Sequence, residues 1–473
     1  MRRPIQFLIL FLVLLFSSPS ASLCLAETPI NPDRITYPPL RFEPPKAERI
    51  VLENGIVLFI IENHEVPLVN ISAIFRAGSN YDPPGKEGLA ELTASLLRTG
   101  GISTVPAERV DRELDDIAAL VSFAAGMESC SAEISVHKKD LETVMNLFSG
   151  MLKSPAFEAS RLAVAKNLVA ESLARVFDDQ QRLAFREFRR LIYAGNPRGR
   201  LPTVRSVSGI TREDLTAFHK RYFFPADTWI AVSGDISRKE ALSLVKKHMG
   251  SWRSSPGRFP ELAEPTAVDH GQLYALNKAG PQSVVLFGYV VPGKAGRDFY
   301  TLSVLDFILG SGGFRSRLSQ EIRTKRGLAY SAGGFYSPRP HYGILQAYAM
   351  TKTDATAEVI ELMKAILKNI SEKPVSISEL QWAKRALTNR FIFSLESPDQ
   401  IALQQMMLDF DGLPPDFLER YPAGIEAVKI EDIRKAALKY LVPDKALFFV
   451  VGDETKLKKL SDIGKATRID WKK

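Results

Sequence analysis

Residues 210–235 read ITREDLTAFHKRYFFPADTWIAVSGD, and residues 428–453 read VKIEDIRKAALKYLVPDKALFFVVGD. Glu213-Asp214-Leu215 stands against Glu431-Asp432-Ile433, Tyr222 against Tyr440, Pro225 against Pro443, and Gly234-Asp235 against Gly452-Asp453, all at an offset of 218 residues. A second pair of segments keeps that offset. Leu141, Val144, Met145 and Phe148 have helical spacing, and their counterparts are the apolar Val359, Leu362, Met363 and Ile366. Both segments read as amphipathic helices, with Asp354 and Glu358 marking the start of the second. Two matches at one long offset mean a duplicated domain, not a short-period solenoid.

Each copy mixes strands and helices. Residues 49–61 read as a hairpin around Glu53-Asn54-Gly55, and residues 68–75 and 129–136 as strands with alternating apolar positions. Residues 88–98 and 108–121 have helical periodicity, the latter with Val110, Leu114, Ile117 and Leu120 on one face. In the second copy, 283–291 reads as a strand and 299–309 as a helix. Strict β-α-β alternation is too sparse for a doubly wound sheet. The expected fold class is therefore α+β: two homologous domains, each a mostly antiparallel sheet packed with helices. The expected limits are 45–253 and 267–457, joined by a Pro-, Ser- and Gly-containing linker at 254–266 and followed by a frayed, Lys-rich tail at 458–473.

The chain has 473 residues, 45% hydrophobic and 25% charged, with a formal charge of +8. That composition suits a globular protein. No dense Lys/Arg block occurs, so the basic balance implies a preference for acidic surfaces and no nucleic-acid partner. Arg2, Arg3 and the apolar run from Phe7 to Phe16 read as a signal peptide spanning residues 1–26, too short to cross a bilayer as a stable helix. Cleavage after Ala26 directs the chain to the periplasm or outside the cell. Acylation at Cys24 is disfavoured by the bulky Leu23 before it. No later stretch is long enough for a membrane helix. After cleavage Cys130 is the remaining cysteine, in an alternating strand where a small buried residue is expected.

The run Ala77-Gly78-Ser79-Asn80-Tyr81-Asp82-Pro83-Pro84-Gly85-Lys86, followed by GLAELTASLL at 88–97, resembles the signature of the pitrilysin/insulinase family of zinc metallopeptidases. In that family the helix carries H-x-x-E-H, two His ligands and a Glu general base. Here those three positions hold Glu91, Ala94 and Ser95. The six His, at 64, 137, 219, 248, 270 and 341, form no H-x-x-E-H or H-E-x-x-H pattern. A zinc peptidase needs three protein ligands and an open position for water. The family's third ligand falls on Glu171, read here as a relic or a solvated helix residue, because one carboxylate cannot hold zinc without the His pair. No metal is therefore expected on this chain.

SRLSQEIRTKRGLAYS, residues 316–331, is similar to the family's second signature. Its Arg and Tyr, here Arg323 and Tyr330, are implied by the resemblance to bind substrate and steady the tetrahedral intermediate at a zinc site. A guanidinium offers forked donors to carbonyl oxygens, and a phenol can donate to a developing oxyanion. The plainer reading is a surface ion pair for Arg323 and a core position for Tyr330; the matching flanks favour the functional one. Gly310, Gly312 and Gly313 resemble, in shortened form, the glycine-rich segment of the non-catalytic subunit of the mitochondrial processing peptidase, which implies substrate handling. A bare helix-to-strand connection explains them equally well.

The resemblance implies a half-size, two-domain member that keeps Arg and Tyr and lacks the zinc dyad. It points to a non-catalytic subunit that binds peptide substrate beside a homologous subunit carrying zinc. The competing reading is a scaffold or binding protein of the same fold with no part in proteolysis.

Overall fold

The computed structural model describes residues 45–253, 259–267, 271–455 and 465–470. The expected signal peptide, the first part of the linker and much of the tail lie outside the described residues. In the first half, Glu48–Val51 (β1), Val57–Glu62 (β2), Leu68–Phe75 (β3), Leu120–Ala125 (β4), Cys130–His137 (β5) and Thr228–Gly234 (β6) form one sheet in the order β1-β2-β6-β3-β5-β4. The second sheet contains Gln272–Asn277 (β7), Gln282–Pro292 (β8), Ala329–Pro338 (β9), Tyr342–Lys352 (β10), Leu447–Gly452 (β11) and Ala466–Ile469 (β12), in the order β12-β7-β11-β8-β10-β9. Five of the six positions correspond; the edge strand differs, being the N-terminal β1, antiparallel to β2, in the first sheet and the C-terminal β12, parallel to β7, in the second. Each sheet is mixed and mostly antiparallel, with β2 and β6 parallel in the first and β7 parallel to both β11 and β12 in the second. The α+β duplication read from the sequence is the fold.

The repeat offset survives in three dimensions. Helix Arg212–Tyr222 corresponds to Ile430–Tyr440, and helix Gln180–Ile192 to Pro398–Phe410, each at 218 residues. In both sheets the alternate apolar residues face the half's own helices. In β3 these are Val69, Ile71, Ala73 and Phe75, packed with Leu92, Leu96, Val144 and Phe148. In β8 they are Val285, Phe287, Tyr289 and Val291, packed with Leu305, Val359 and Met363.

The opposite sheet faces are covered by exchange. Gln180–Ile192, from the first half, lays Leu183, Phe188 and Leu191 on Val284, Leu286, Phe449 and Val451 of the second sheet. Pro398–Phe410 lays Ala402 and Met406 on Val57, Phe59, Ile74 and Ala231 of the first. Polar clasps accompany each exchange. The Tyr342 hydroxyl donates to Glu128 at 2.9 Å, Arg198 Nε donates to the same carboxylate at 3.1 Å, and the Arg198 guanidinium lies 4.7 Å from the Tyr342 ring centre. On the other side Arg76 sits over both Trp229 and Phe410, and Trp229 Nε1 donates to Asp409 at 2.8 Å. The described residues consequently form a single compact unit.

Two local expectations change. The helix expected over 108–121 is Ala107–Asp116. Ala118 takes φ +50°, which an α-helix does not allow, and the chain then enters β4 with Leu120 on its outer side, 72% exposed. Helical spacing alone did not reveal that break. The tail expected to fray supplies β12, which pairs with β7 and covers an edge that would otherwise leave backbone groups unpaired. Among the described residues no helix is long and apolar enough to cross a membrane.

Candidate functional site

The Asp-Pro-Pro-Gly turn builds a helix start. Asp82 is buried, and its carboxylate accepts the backbone N–H groups of Gly88 and Ala90, each at 2.8 Å, at the first turn of helix Leu89–Thr99. Burial pushes its pKa up to about 7, against the pull of these two N–H groups and of Arg200. Lys86 anchors the same turn through Asp214 at 2.6 Å, on the repeated helix Arg212–Tyr222.

Glu91 and Ser95 lie one turn apart on the open side of this helix, and Ala94 faces the core at 1% exposure. Enough protein surrounds the Glu91 carboxyl that desolvation raises its pKa, with Arg186 acting in the opposite direction. Glu171 is on the neighbouring helix Ala159–Val176. It points to solvent at 65% side-chain exposure, with Arg175 at 3.8 Å as its ion-pair partner. These side chains do not suit zinc: a methyl group, a hydroxyl, one carboxylate beside a guanidinium and another paired in solvent. Among the described residues no cluster of three or more His, Cys, Asp or Glu is placed to hold a metal.

Two of the described histidines illustrate how these side chains are used elsewhere. His64 Nδ1 lies 2.6 Å from Asp235, whose hydrogen bond raises the imidazole pKa. His219 is sealed between Phe157 and Phe223, its Nε2 2.9 Å from the Leu152 carbonyl, and burial lowers its pKa to about 4. A base depressed in the folded state contributes stability that is fully present above its unfolded value near 6.5. That stability is lost as pH falls toward 4, by about 3 kcal/mol in all. His219→Gln keeps a donor for Leu152 and does not titrate. Urea denaturation should therefore show the variant losing less stability than the parent between pH 6.5 and 4.5. Equal losses would contradict the assignment. Cys130 is fully buried in β5, and burial pushes its thiol up to about 12, so it is no nucleophile.

The second half places its own residues beside an edge strand. Helix Phe299–Asp306 continues into a π-helical turn at Phe307–Ser311 that packs on β9, just as helix Leu89–Thr99 flanks β4. A Cβ on Gly310 would lie 2.5 Å from the Gly334 backbone nitrogen, and one on Gly312 would lie 2.3 Å from the Trp382 ring; Gly313, at φ +67°, is open to solvent. Packing thus accounts for two of the three glycines. Arg323, from the π-helical turn Ser319–Thr324, is exposed with its guanidinium 4.6 Å from the Phe314 ring centre. Tyr330 is the second residue of β9. Its ring is 57% exposed and its hydroxyl donates to Met350 Sδ at 2.7 Å. Among the described residues Arg323 has no ion pair, and Tyr330 does not take the core position of the plainer reading. Among the described residues, no hydrogen bond, ion pair or ring contact links Arg323 or Tyr330 to Glu91, Ser95 or Glu171.

One feature escaped the sequence reading. Between 180 and 205 the chain carries seven arginines, one glutamate and no lysine. Arg186, Arg190, Arg200 and Arg205 line a cleft of 1000 Å³ that begins at Glu87, beside helix Leu89–Thr99. The signal was the strict choice of Arg over Lys. It is diluted in sequence by the apolar residues among which the arginines are interspersed.

Comparison with known proteins agrees with this geometry. Residues 57–201 match the family model described as insulinase (peptidase family M16), and residues 209–387 match that of the peptidase M16 inactive domain. An uncharacterised zinc protease of Mycobacterium leprae is 29% identical over 353 residues, 74% of this chain and 79% of that protein. A Helicobacter pylori protein named non-peptidase homolog YmxG is 24% identical over 400 residues, 84% of this chain and 91% of its own. Among solved structures, a peptidase M16 inactive domain from Pseudomonas fluorescens superposes with a TM-score of 0.79 at 23% identity, over 86% of this chain and 98% of that one. The periplasmic protease PqqL from Escherichia coli superposes with a TM-score of 0.72 at 16% identity, over 86% of this chain and 46% of its own. With both family models matched in order along the duplicated fold, and with Glu91, Ala94 and Ser95 where the zinc dyad and its general base would stand, this chain belongs to the insulinase family as a member with a degenerate zinc motif.

Proposed function

We propose that this protein is the substrate-binding subunit of a heteromeric zinc peptidase, acting on peptides or unfolded segments in the periplasm. The observation that carries the reading is an asymmetry within one chain. The zinc-ligand positions hold Glu91, Ala94 and Ser95, whereas Arg323 and Tyr330 stand intact and exposed. Such a pair has work to do only at a zinc site supplied by another subunit. The partner would be a homologous chain with H-x-x-E-H, and zinc would reside there.

The chain's own contribution would be binding and orientation. Strand β4 ends its sheet, and among the described residues it pairs only with β5. An extended peptide can add there as a further strand, held by main-chain hydrogen bonds. Arg323 would hold a substrate carbonyl with its forked donors, and Tyr330, turning from Met350, would donate to the oxyanion as it forms. The expected signal peptide supports the periplasmic placement.

The name of the Helicobacter pylori relative favours a second reading, a scaffold with no role in proteolysis. Co-expression with a homologue bearing intact H-x-x-E-H, followed by co-purification and a peptide-cleavage assay, separates the two. The subunit reading expects a complex that cleaves; a complex without activity, or no complex, favours the scaffold.

A further inference from the structure

The arginines of residues 180–205 are unequally satisfied. Arg182 pairs with Asp179, Arg190 with Glu187 at 2.7 Å, and Arg198 with Glu128. Arg186 donates to the Pro202 carbonyl and has its nearest carboxylate, Glu187, at 3.9 Å. Arg200 donates to the Asn80 carbonyl, and its Nε is buried without any hydrogen-bond partner. Arg205 is exposed and, among the described residues, has no ion pair. The three under-satisfied groups, Arg186, Arg200 and Arg205, line the same 1000 Å³ cleft. A second cavity of 450 Å³ adjoins it and shares Arg190 and Arg200.

Half-buried like charges without full carboxylate partners are costly. The strain is visible at Arg186, whose pKa is lowered by desolvation, and also by the neighbouring charge of Arg190. Three acids share the lining with four arginines: Glu187 offsets part of the cost at Arg186 but is shared with Arg190, the Glu87 carboxylate accepts the Gly85 N–H, and Asp470 closes the lining. Apolar side chains make up much of the remaining wall, with Leu173, Phe177, Leu201, Pro202 and Val204. A bare inorganic anion would leave those walls empty. A peptide with acidic and apolar side chains would satisfy both surfaces, and arginine's planar fork suits carboxylates better than lysine's point charge.

We infer that this cleft binds a carboxylate-bearing peptide segment, so that the protein selects acidic, partly apolar peptides. The inference names the substrate class for the proposed peptide-binding role and rests on that reading for its purpose, but the binding itself needs no partner subunit.

The test is fluorescence anisotropy on the purified full chain with a dye-labelled peptide of alternating Glu and Leu, against the same peptide with Gln for Glu. The Glu peptide should bind saturably, at least tenfold tighter than the Gln peptide, and should weaken as salt screens the contact. Arg205→Glu, at an exposed position with no ion pair among the described residues, should weaken binding about tenfold. Glu87→Gln keeps the acceptor for Gly85, removes a competing charge and should tighten binding several-fold. Equal binding of the Glu and Gln peptides, indifference to both Arg205→Glu and Glu87→Gln, or displacement by inorganic phosphate at matched concentration would overturn the inference.

Discussion

Tyr330→Phe should lower turnover of the reconstituted two-subunit peptidase by about 10²- to 10³-fold, the usual effect of deleting one oxyanion donor. The substitution removes one hydroxyl from a ring that is 57% exposed and that donates to Met350 Sδ. Folding and assembly should therefore be near normal. Arg323→Ala should also lower turnover. Its guanidinium rests on Phe314 and makes no ion pair among the described residues, so its loss leaves no buried charge behind. Cleavage rates at saturating peptide, with size-exclusion profiles of both complexes, check the pair. Full activity in both variants would remove the assigned role and bring the scaffold reading forward.

Phe188→Ala should destabilise the chain by about 3–5 kcal/mol, the range for deleting a large buried aromatic. Phe188 is 1% exposed and belongs to the helix that the first half lays on the second sheet. Its ring occupies space left by Gly288, where an added Cβ would lie 2.7 Å from the ring. The cavity cannot close by local collapse, because the sheet beneath is fixed by pairing of β8 with both β10 and β11. Urea denaturation monitored by tryptophan fluorescence should show a midpoint shift of matching size. A shift below about 1 kcal/mol would mean that the exchanged helix is not what couples the halves.

The parts legible in the sequence are those that local chemistry dictates. Tyr222 and Tyr440, with the Gly-Asp pairs beyond them, mark the duplication because helix, turn and strand there need similar residues in both copies. The exchanged helices were not legible, although Gln180–Ile192 and Pro398–Phe410 keep the same offset. Each has only to present an apolar face, and Phe188 in one is served by Met406 in the other, so little residue identity remains. The strand orders depend on non-local pairing that no window of sequence contains. At the candidate site, Glu91, Ala94, Ser95, Arg323 and Tyr330 were legible because a motif ties each to a role. The arginine cleft was not. Arg186 and Arg205 come to line one cleft only when helix Gln180–Ile192 packs against the segment that follows it.

The most direct test of the account is a mixing experiment. This chain, a homologue with intact H-x-x-E-H, and their mixture are each assayed for peptide cleavage, with zinc counted by mass spectrometry in every sample. The account predicts no stoichiometric zinc and no cleavage from this chain alone. It predicts one zinc per homologue, and cleavage by the mixture well above that of the homologue alone. Tightly bound zinc with activity in the isolated chain, or a mixture no faster than the homologue by itself, would contradict it.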